Sequence, residues 1–599
     1  MPFSKRTLLL HAALCCCFIS LSARANNAPK VTSIQPAAHA IAATTQPEIF
    51  VRFDAPVDPA SLTLRSFSVF GRWSGVCPGQ FVLEEGNQLV RFVPAKSFSA
   101  GEMITVSLSK SIKGATGESM IKGYAWQFLT PAQPAVLELK EIRRINVRAN
   151  GEGQIRTYGA YAGDLNGDGF HDFTVPNEDA HDVRVFMNDR TGDYTAPFQA
   201  YKLPVPSKPS TNEGADFNGD GLLDFACGNI SAGTAAVFFG NGDGTLQTPK
   251  IYPTAADTRG LAVADLNGDG APDIVTTNRS GNKVAVLMNN GDGTFASSII
   301  LETGTNGETS CAAADANGDG LLDIFVGSYT SQQMVVLLSD GNGGLSVSTR
   351  VNCRGNAWMI ATGDIDGDKD VDVVSASAGV PQFAVLRGDG AGQLSAAEVY
   401  STGNFSLAID LGDIDGDGDL DLVTSNYGTR DFRVHENDGA GRFINPRLLQ
   451  ASAAGSCVVI HDRDRDGDLD ITGIDEEDDL LFLFDNPGRG NAVGESPTPQ
   501  RRPADFALLQ SYPNPFTGAA RSLFIPFVLQ RAAHVRLEIL NLKGERMRVV
   551  LHENRSEGRH EVELARADLP AGIYFYRLVQ DEQQALVRKI VWLKSASVK

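Results

Sequence analysis

Asp164-Leu-Asn-Gly-Asp-Gly-Phe-His-Asp172 is a nine-residue run with oxygen-bearing side chains at its first, third, fifth and ninth positions. It recurs as Asp216 to Asp224, Asp265 to Asp273, Asp315 to Asp323, Asp364 to Asp372, Asp413 to Asp421 and Asp462 to Asp470. The first Asp residues are spaced 52, 49, 50, 49, 49 and 49 residues apart. Seven copies at one period define a repeat architecture. Small or apolar residues lead into each loop (Leu261 to Ala264), and an apolar run leaves it (Ile274-Val275). A second run follows (Val284 to Leu287), then a Gly-rich turn (Asn290-Gly-Asp-Gly-Thr294) and a last short run (Ser298 to Leu301). β-type runs bounded by Gly, Asn and Asp read as strands and hairpins. Four strands in about 49 residues make one blade of a β-propeller, so the pattern predicts seven blades. The seventh loop is followed by only two strand-like runs before Asp485-Asn-Pro-Gly488 breaks the pattern. The β-type run Val136 to Val147, ahead of the first loop, is expected to supply the missing outer strand and close the ring.

The spacing points to a hard cation. Calcium takes six to eight oxygens, and the EF-hand loop starts with the same first, third and fifth positions. The candidate ligands are Asp164, Asn166, Asp168 and Asp172; Asp216, Asn218, Asp220 and Asp224; Asp265, Asn267, Asp269 and Asp273; and Asp315, Asn317, Asp319 and Asp323. The last three loops offer Asp364, Asp366, Asp368 and Asp372; Asp413, Asp415, Asp417 and Asp421; and Asp462, Asp464, Asp466 and Asp470. Up to seven calcium ions are expected. Gly at the sixth position provides the positive φ that wraps the chain around an ion. Two loops depart: the fifth has Lys369 at that position, and the seventh carries Arg463 and Arg465, expected to point outward. No nucleophile or base recurs beside the loops, which therefore read as structural rather than catalytic.

With these residues in view, the repeats resemble FG-GAP/VCBS repeats, as in the integrin α-subunit propeller and many secreted bacterial proteins. The resemblance covers residues 135–487 and implies a seven-bladed propeller with calcium in the blade hairpins. It leaves the ligand open, because adhesion proteins, lectins and some polysaccharide lyases share the scaffold.

The flanks read as separate modules. Lys5 and Arg6, the apolar run Leu8 to Leu21 and Ala23-Arg24-Ala25 form a secretory signal peptide, 1–25. Residues 30–131 predict a β-sandwich and resemble the SbsA-type bacterial Ig-like domain through Ile34-Gln-Pro36, Pro56-Val57, Phe92-Val-Pro94 and Trp126 to Thr130. A Pro- and Gly-rich linker spans 488–510. Residues 511–599 carry Tyr512-Pro-Asn-Pro-Phe516, Val535 to Leu540, Leu569 to Tyr576 and Lys589 to Lys594. They are similar to the C-terminal type IX secretion sorting domain (type A), a FlgD-like Ig fold. That resemblance implies passage through the type IX machinery to the cell surface, attached or released. The fold class expected is thus all-β: a seven-bladed calcium-binding β-propeller flanked by an N-terminal Ig-like β-sandwich and a C-terminal β-sandwich. No run of apolar residues is long enough for a transmembrane helix.

Charge agrees with this reading. The 599 residues hold 72 Asp+Glu against 52 Lys+Arg, a net charge of -20. Nucleic-acid binding runs on clustered Lys and Arg, so this balance argues against it. Three Asp in each of the first four loops and five in each of the last three account for 27 of the acids, leaving 45 elsewhere. The acidity therefore marks the loops rather than a diffuse coat. The five cysteines beyond the signal peptide are widely spaced, with no C-x-x-C pair.

No H-E-x-x-H, G-x-S-x-G or P-loop occurs. His171 and His461 flank loops and are expected in supporting or surface roles, and Arg387-Gly-Asp389 falls on a hairpin turn. Ligand contacts are expected in the segments entering the innermost strands, six to eight residues before each first Asp, which hold Arg156, Tyr158, Lys208, Arg259, Trp358 and Phe405. Arg and aromatic residues suit sugar stacking or protein hot spots. The function expected is a secreted, calcium-stabilised, non-catalytic surface protein binding protein or glycan. A polysaccharide lyase on the same scaffold is the alternative, and a structural surface-layer component a third class.

Overall fold

A computed structural model describes residues 28–194, 198–488, 506–508, 511, 522–529, 531–541, 546–556, 558–565, 572–580 and 584–592. The expected signal peptide, most of the expected linker and the Tyr512 to Phe516 run lie outside the described residues. The described chain is all-β, and the only helical elements in it are two three-residue 3-10 turns, Pro59–Ser61 and Glu85–Asn87. It divides into two compact units, 1–492 and 493–599.

In the first unit, seven four-stranded antiparallel sheets follow one another along the chain. Sheet 3 shows the plan: Thr258–Ala264, Asp273–Asn278, Lys283–Leu287 and Ile299–Leu301 pair in sequence order. The second strand of every sheet is buried along its whole length. Strands covered on both faces favour continuous apolar or small residues, as Asp273-Ile-Val-Thr-Thr-Asn278 shows. The fourth strands, such as Lys250–Pro253, are largely exposed edges. Each first strand packs beside the first strand of the next sheet, and Tyr161–Gly163 of sheet 1 also touches Gly455–His461 of sheet 7. Sheet 7 takes its fourth strand from Lys140–Asn146, antiparallel to Leu480–Asp485. The run expected to fill that place does pair there.

The segment after this strand crosses from sheet 7 to sheet 1 over buried Asp479. Its carboxylate accepts from the backbone N–H of Ile155 and Thr157, each at 3.0 Å. Arg184 of sheet 1, also buried, donates to Val147 O at 2.6 Å and binds Glu152.

Residues 31–129 form two four-stranded sheets around a core that includes Val51, Phe67, Phe92, Val106 and Trp126. Buried Glu102 accepts from the N–H groups of Trp73, Ser74 and Ser99 at 2.5–2.8 Å, which fixes the hairpin at 72–74. Trp73 leaves its own domain and joins the core of sheets 1 and 7, with its ring 5.2 Å from that of His171. Arg72 lies 3.5 Å from Asp410 on the first strand of sheet 6. Burial opposes its charge, but Asp410 and Glu213 outweigh that and raise its pKa. The same domain meets the acidic loops, where Lys110 N–H donates to Gly268 O, Ala125 N–H to Gly320 O and Asp164 N–H to Trp73 O.

The second unit contains a three-stranded and a four-stranded sheet. Its core includes Leu523, Ile525, Val535, Leu537 and Leu578. Buried Glu538 is paired with Arg536, Arg546 and Arg577.

Candidate functional site

The seven loops share one geometry. The first-position carboxylate accepts from the N–H of the sixth residue, at 2.9 Å in loop 1 (Gly169 to Asp164) and 2.8 Å in loop 3 (Gly270 to Asp265). That bond lengthens to 3.2 Å in loop 6 and 3.4 Å in loop 7. The ninth-position carboxylate opens the second strand and accepts from the N–H sixteen residues on, at 2.8–2.9 Å in all seven repeats. In loops 1 to 6 it also accepts from the second residue's N–H, as Phe217 donates to Asp224 at 3.0 Å. The sixth position has positive φ throughout, including Lys369 at 80°. The fourth position does too, with Arg465 at 61° replacing the usual Gly.

These carboxylates are buried next to one another. Burial, partly relieved by backbone N–H donors, pushes Asp172, Asp224, Asp273 and Asp421 up to about 8. Several unionised or unpaired acids in one loop are costly unless a cation joins them. Asp366 Oδ1, Asp419 Oδ1, Asp468 Oδ1 and Asp470 Oδ2 are buried without a hydrogen-bond partner. In the last three loops, oxygens of Asp364, Asp366 and Asp372, of Asp413, Asp415 and Asp417, and of Asp462, Asp464 and Asp466 each converge within 4.8 Å. The donor set is all oxygen, as a hard divalent cation requires.

The structure corrects two expectations from the sequence. Arg463 does not point outward: it is buried and donates to Gly192 O and to Asp485 at 2.9 Å, with Asp470 3.3 Å away. The second position faces inward in every loop, so an arginine there has to find acceptors inside. Arg465 is exposed as expected and lies over the Phe170 ring, 5.5 Å from its centroid. His171 and His461 are not surface residues but fully buried, 3.4 Å apart through their Nδ1 atoms, and burial lowers the pKa of both.

The second strand is six residues long (Asp172–Asn177 in sheet 1), so its far end is about 20 Å from the loop. The six residues anticipated as ligand contacts gather at that far end. Tyr158 accepts from Trp358 Nε1 at 2.7 Å, and Arg259 lies 5.2 Å over the Trp358 ring. Arg156 reaches Glu477 at 3.0 Å and Glu476 at 3.5 Å. Phe405 packs edge-on against Tyr427, whose hydroxyl donates to Glu477 at 2.7 Å. Lys208 sits at the border, paired with Asp179.

Sequence reading missed half of this cluster. Glu178, Arg279, Tyr329, Tyr427 and Glu476 all follow the end of a second strand, six residues after a ninth-position Asp. Aligning the repeats at that offset exposes their variability. Arg279 stacks over Tyr329 and Trp358, while Glu178 and Glu476 are buried between Arg156 and Arg259. Burial and the neighbouring Glu178 raise Glu476 to about 7. Beside the cluster, Gln154, Tyr427, Arg430, Glu477 and Asp478 help line an open groove of about 680 Å³.

The FG-GAP-like repeat matches residues 164–227, 216–276, 265–326, 315–375, 364–424 and 415–472, an unbroken span of more than half the chain. The chain belongs to the FG-GAP-like repeat family. A bacterial Ig-like domain matches residues 25–130, and a secretion system C-terminal sorting domain matches 510–593. The sorting domain marks this FG-GAP-repeat protein as secreted to the cell surface or beyond, through the type IX machinery. No helix among the described residues is long and apolar enough to cross a membrane. No curated protein matches. Among solved structures, a lectin of Agrocybe aegerita described as recognising non-reducing terminal N-acetylglucosamine is 20% identical (TM-score 0.39), covering 55% of this chain and 87% of its own. A functionally unknown protein of Desulfotomaculum acetoxidans is 12% identical (TM-score 0.34), covering 64% and 96%. Likeness at this level transfers no function.

Proposed function

We propose that the protein is a secreted, calcium-stabilised, seven-bladed propeller that binds a protein or glycan at the surface without catalysis. The seven sheets are its blades, Lys140–Asn146 closes the ring, and the hairpin at 72–74 stoppers the loop end. The observation that carries the reading is the contiguous cluster of Tyr158, Trp358, Arg259, Arg279 and Arg156 at the end away from the loops. Aromatic faces beside guanidinium groups and buried carboxylates suit a hydroxyl-rich ligand, which takes stacking and bidentate hydrogen bonds together. Calcium, where held by the loop acids, would neutralise them and fix each first-to-second-strand connection. The residues at the ligand face would then sit on a rigid frame.

A glycan array and a surface-protein pull-down with the mature chain test this. Trp358→Ala and Arg259→Ala are expected to weaken the ligand found by at least about tenfold, on the scale of a lost hot-spot contact. Unchanged binding in both variants would place the ligand elsewhere.

One observation favours a second reading. Glu476, near 7 beside Glu178, has the proton affinity of a general acid or base. Product formation from a panel of acidic polysaccharides, lost in Glu476→Gln, would make the protein a glycan-degrading enzyme instead.

A further inference from the structure

The residue opposite the ninth-position carboxylate differs from repeat to repeat. Strand pairing in sheet 1 ends at Phe173 with Phe186, and in sheet 5 at Val373 with Leu386. One step further, Asp172 therefore faces Met187 and Asp372 faces Arg387, with side chains on one face of the hairpin. The same register puts Phe239, Met288 and Leu338 at this place in repeats 2 to 4, and Glu436 and Asp485 in repeats 6 and 7. The position is also a wedge between neighbouring repeats. A Cβ added to Gly244 would meet Met187, one on Gly293 would meet Phe239, and one on Gly441 would meet Arg387.

The wedge follows the third loop position. Where that position is Asn (166, 218, 267, 317) the wedge is apolar, and where it is Asp (366, 415, 464) the wedge is charged. In repeats 6 and 7 the wedge adds a carboxylate. In repeat 5 it adds a guanidinium. Arg387 Nη1 lies 3.0 Å from Asp372 Oδ2 and 3.8 Å from Asp366 Oδ2, and its other terminal nitrogen donates to Gly441 O. Asp366 and Asp372 are two of the three acids that converge in this loop. A fixed, mostly buried cation hydrogen-bonded to Asp372 and close to Asp366 offsets their charge and repels a dication from the same place. Arg463 enters repeat 7 as well, 3.3 Å from Asp470 and 3.6 Å from Asp464, but Asp485 pairs with that guanidinium at 2.9 Å, and of the converging Asp462, Asp464 and Asp466 it neighbours only Asp464.

We propose that Arg387 takes the place of the divalent ion in the fifth loop, so that the ring has six ion sites and one loop closed by a tethered guanidinium. This rests on the calcium reading of the other loops. The test is a calcium count per mature chain after equilibrium dialysis, read by elemental analysis. Arg387→Met, which installs the residue of repeats 1 and 3, is expected to bind one ion more than the wild type. Asp364→Asn is expected to leave the wild-type count unchanged, whereas Asp413→Asn lowers it by one. Equal counts in wild type and Arg387→Met, or a loss in Asp364→Asn, would overturn the arginine proposal while leaving calcium binding intact. If Arg387→Met does not fold, the two Asp→Asn variants decide. A wild type that binds no calcium would sink both readings.

Discussion

Lys369 shows how the loop constrains single residues. Its φ of 80° is one that Gly occupies in all six other repeats, and a side chain with a Cβ pays for it. Lys369→Gly is therefore expected to stabilise the protein by about 0.5–1 kcal/mol, measured by chemical denaturation at fixed calcium. Glu476 makes the opposite point at the far end of the second strands. Burial, then Glu178, raises it from 4.5 to about 7. Between those two values the native state keeps a proton that the unfolded chain has lost, so stability falls as pH rises through that window. The full effect is on the order of 3 kcal/mol. Glu476→Gln should match the wild type at pH 4 and exceed it at pH 8. A variant less stable than wild type at pH 8 would show that Arg156 and Arg259 depend on the ionised carboxylate. The loop acids were legible from the sequence because a repeated spacing needs no tertiary information. The direction of Arg463 was not, since its partners Gly192 and Asp485 lie hundreds of residues away or in another strand.

At the scale of the element, the join between sheets 7 and 1 depends on one strand and one turn. Lys140–Asn146 could be anticipated because sheet 7 runs out of strands at Asp485, while an unassigned β-type run stands ahead of the first loop. Asp479 could not, because nothing near it in sequence shows that its carboxylate receives Ile155 and Thr157 N–H. Asp479→Ala leaves two buried backbone donors without an acceptor, and is expected to cost about 2–5 kcal/mol. A denaturation midpoint unchanged in that variant would mean that the crossing segment is not what holds sheets 1 and 7 together. The packing of the 72–74 hairpin against the sheets was equally invisible in the sequence. Arg72-Trp73 reads as an ordinary hairpin in an Ig-like domain until Asp410, Glu213 and His171 are brought around it.

For the whole molecule, the acidity has an address. The seven loops hold 27 of the 72 acids, and they lie where the N-terminal domain packs against the sheets. The aromatic and arginine cluster lies at the opposite end of the second strands. Export is a property of the tail: a chain ending before residue 511 is expected to accumulate inside the outer membrane, and surface labelling of that truncation would contradict the sorting role. On the proposed reading, ion binding would decide whether the frame is rigid once outside the cell. Each site held at 100 times its dissociation constant adds about 2.7 kcal/mol, so several sites together shift unfolding strongly. The most direct measurement is the melting temperature of the mature protein with calcium, after chelation, and after calcium is restored. The account predicts a fall of roughly 10 °C or more on chelation, reversed by calcium. A melting curve that does not move when calcium is removed would contradict it.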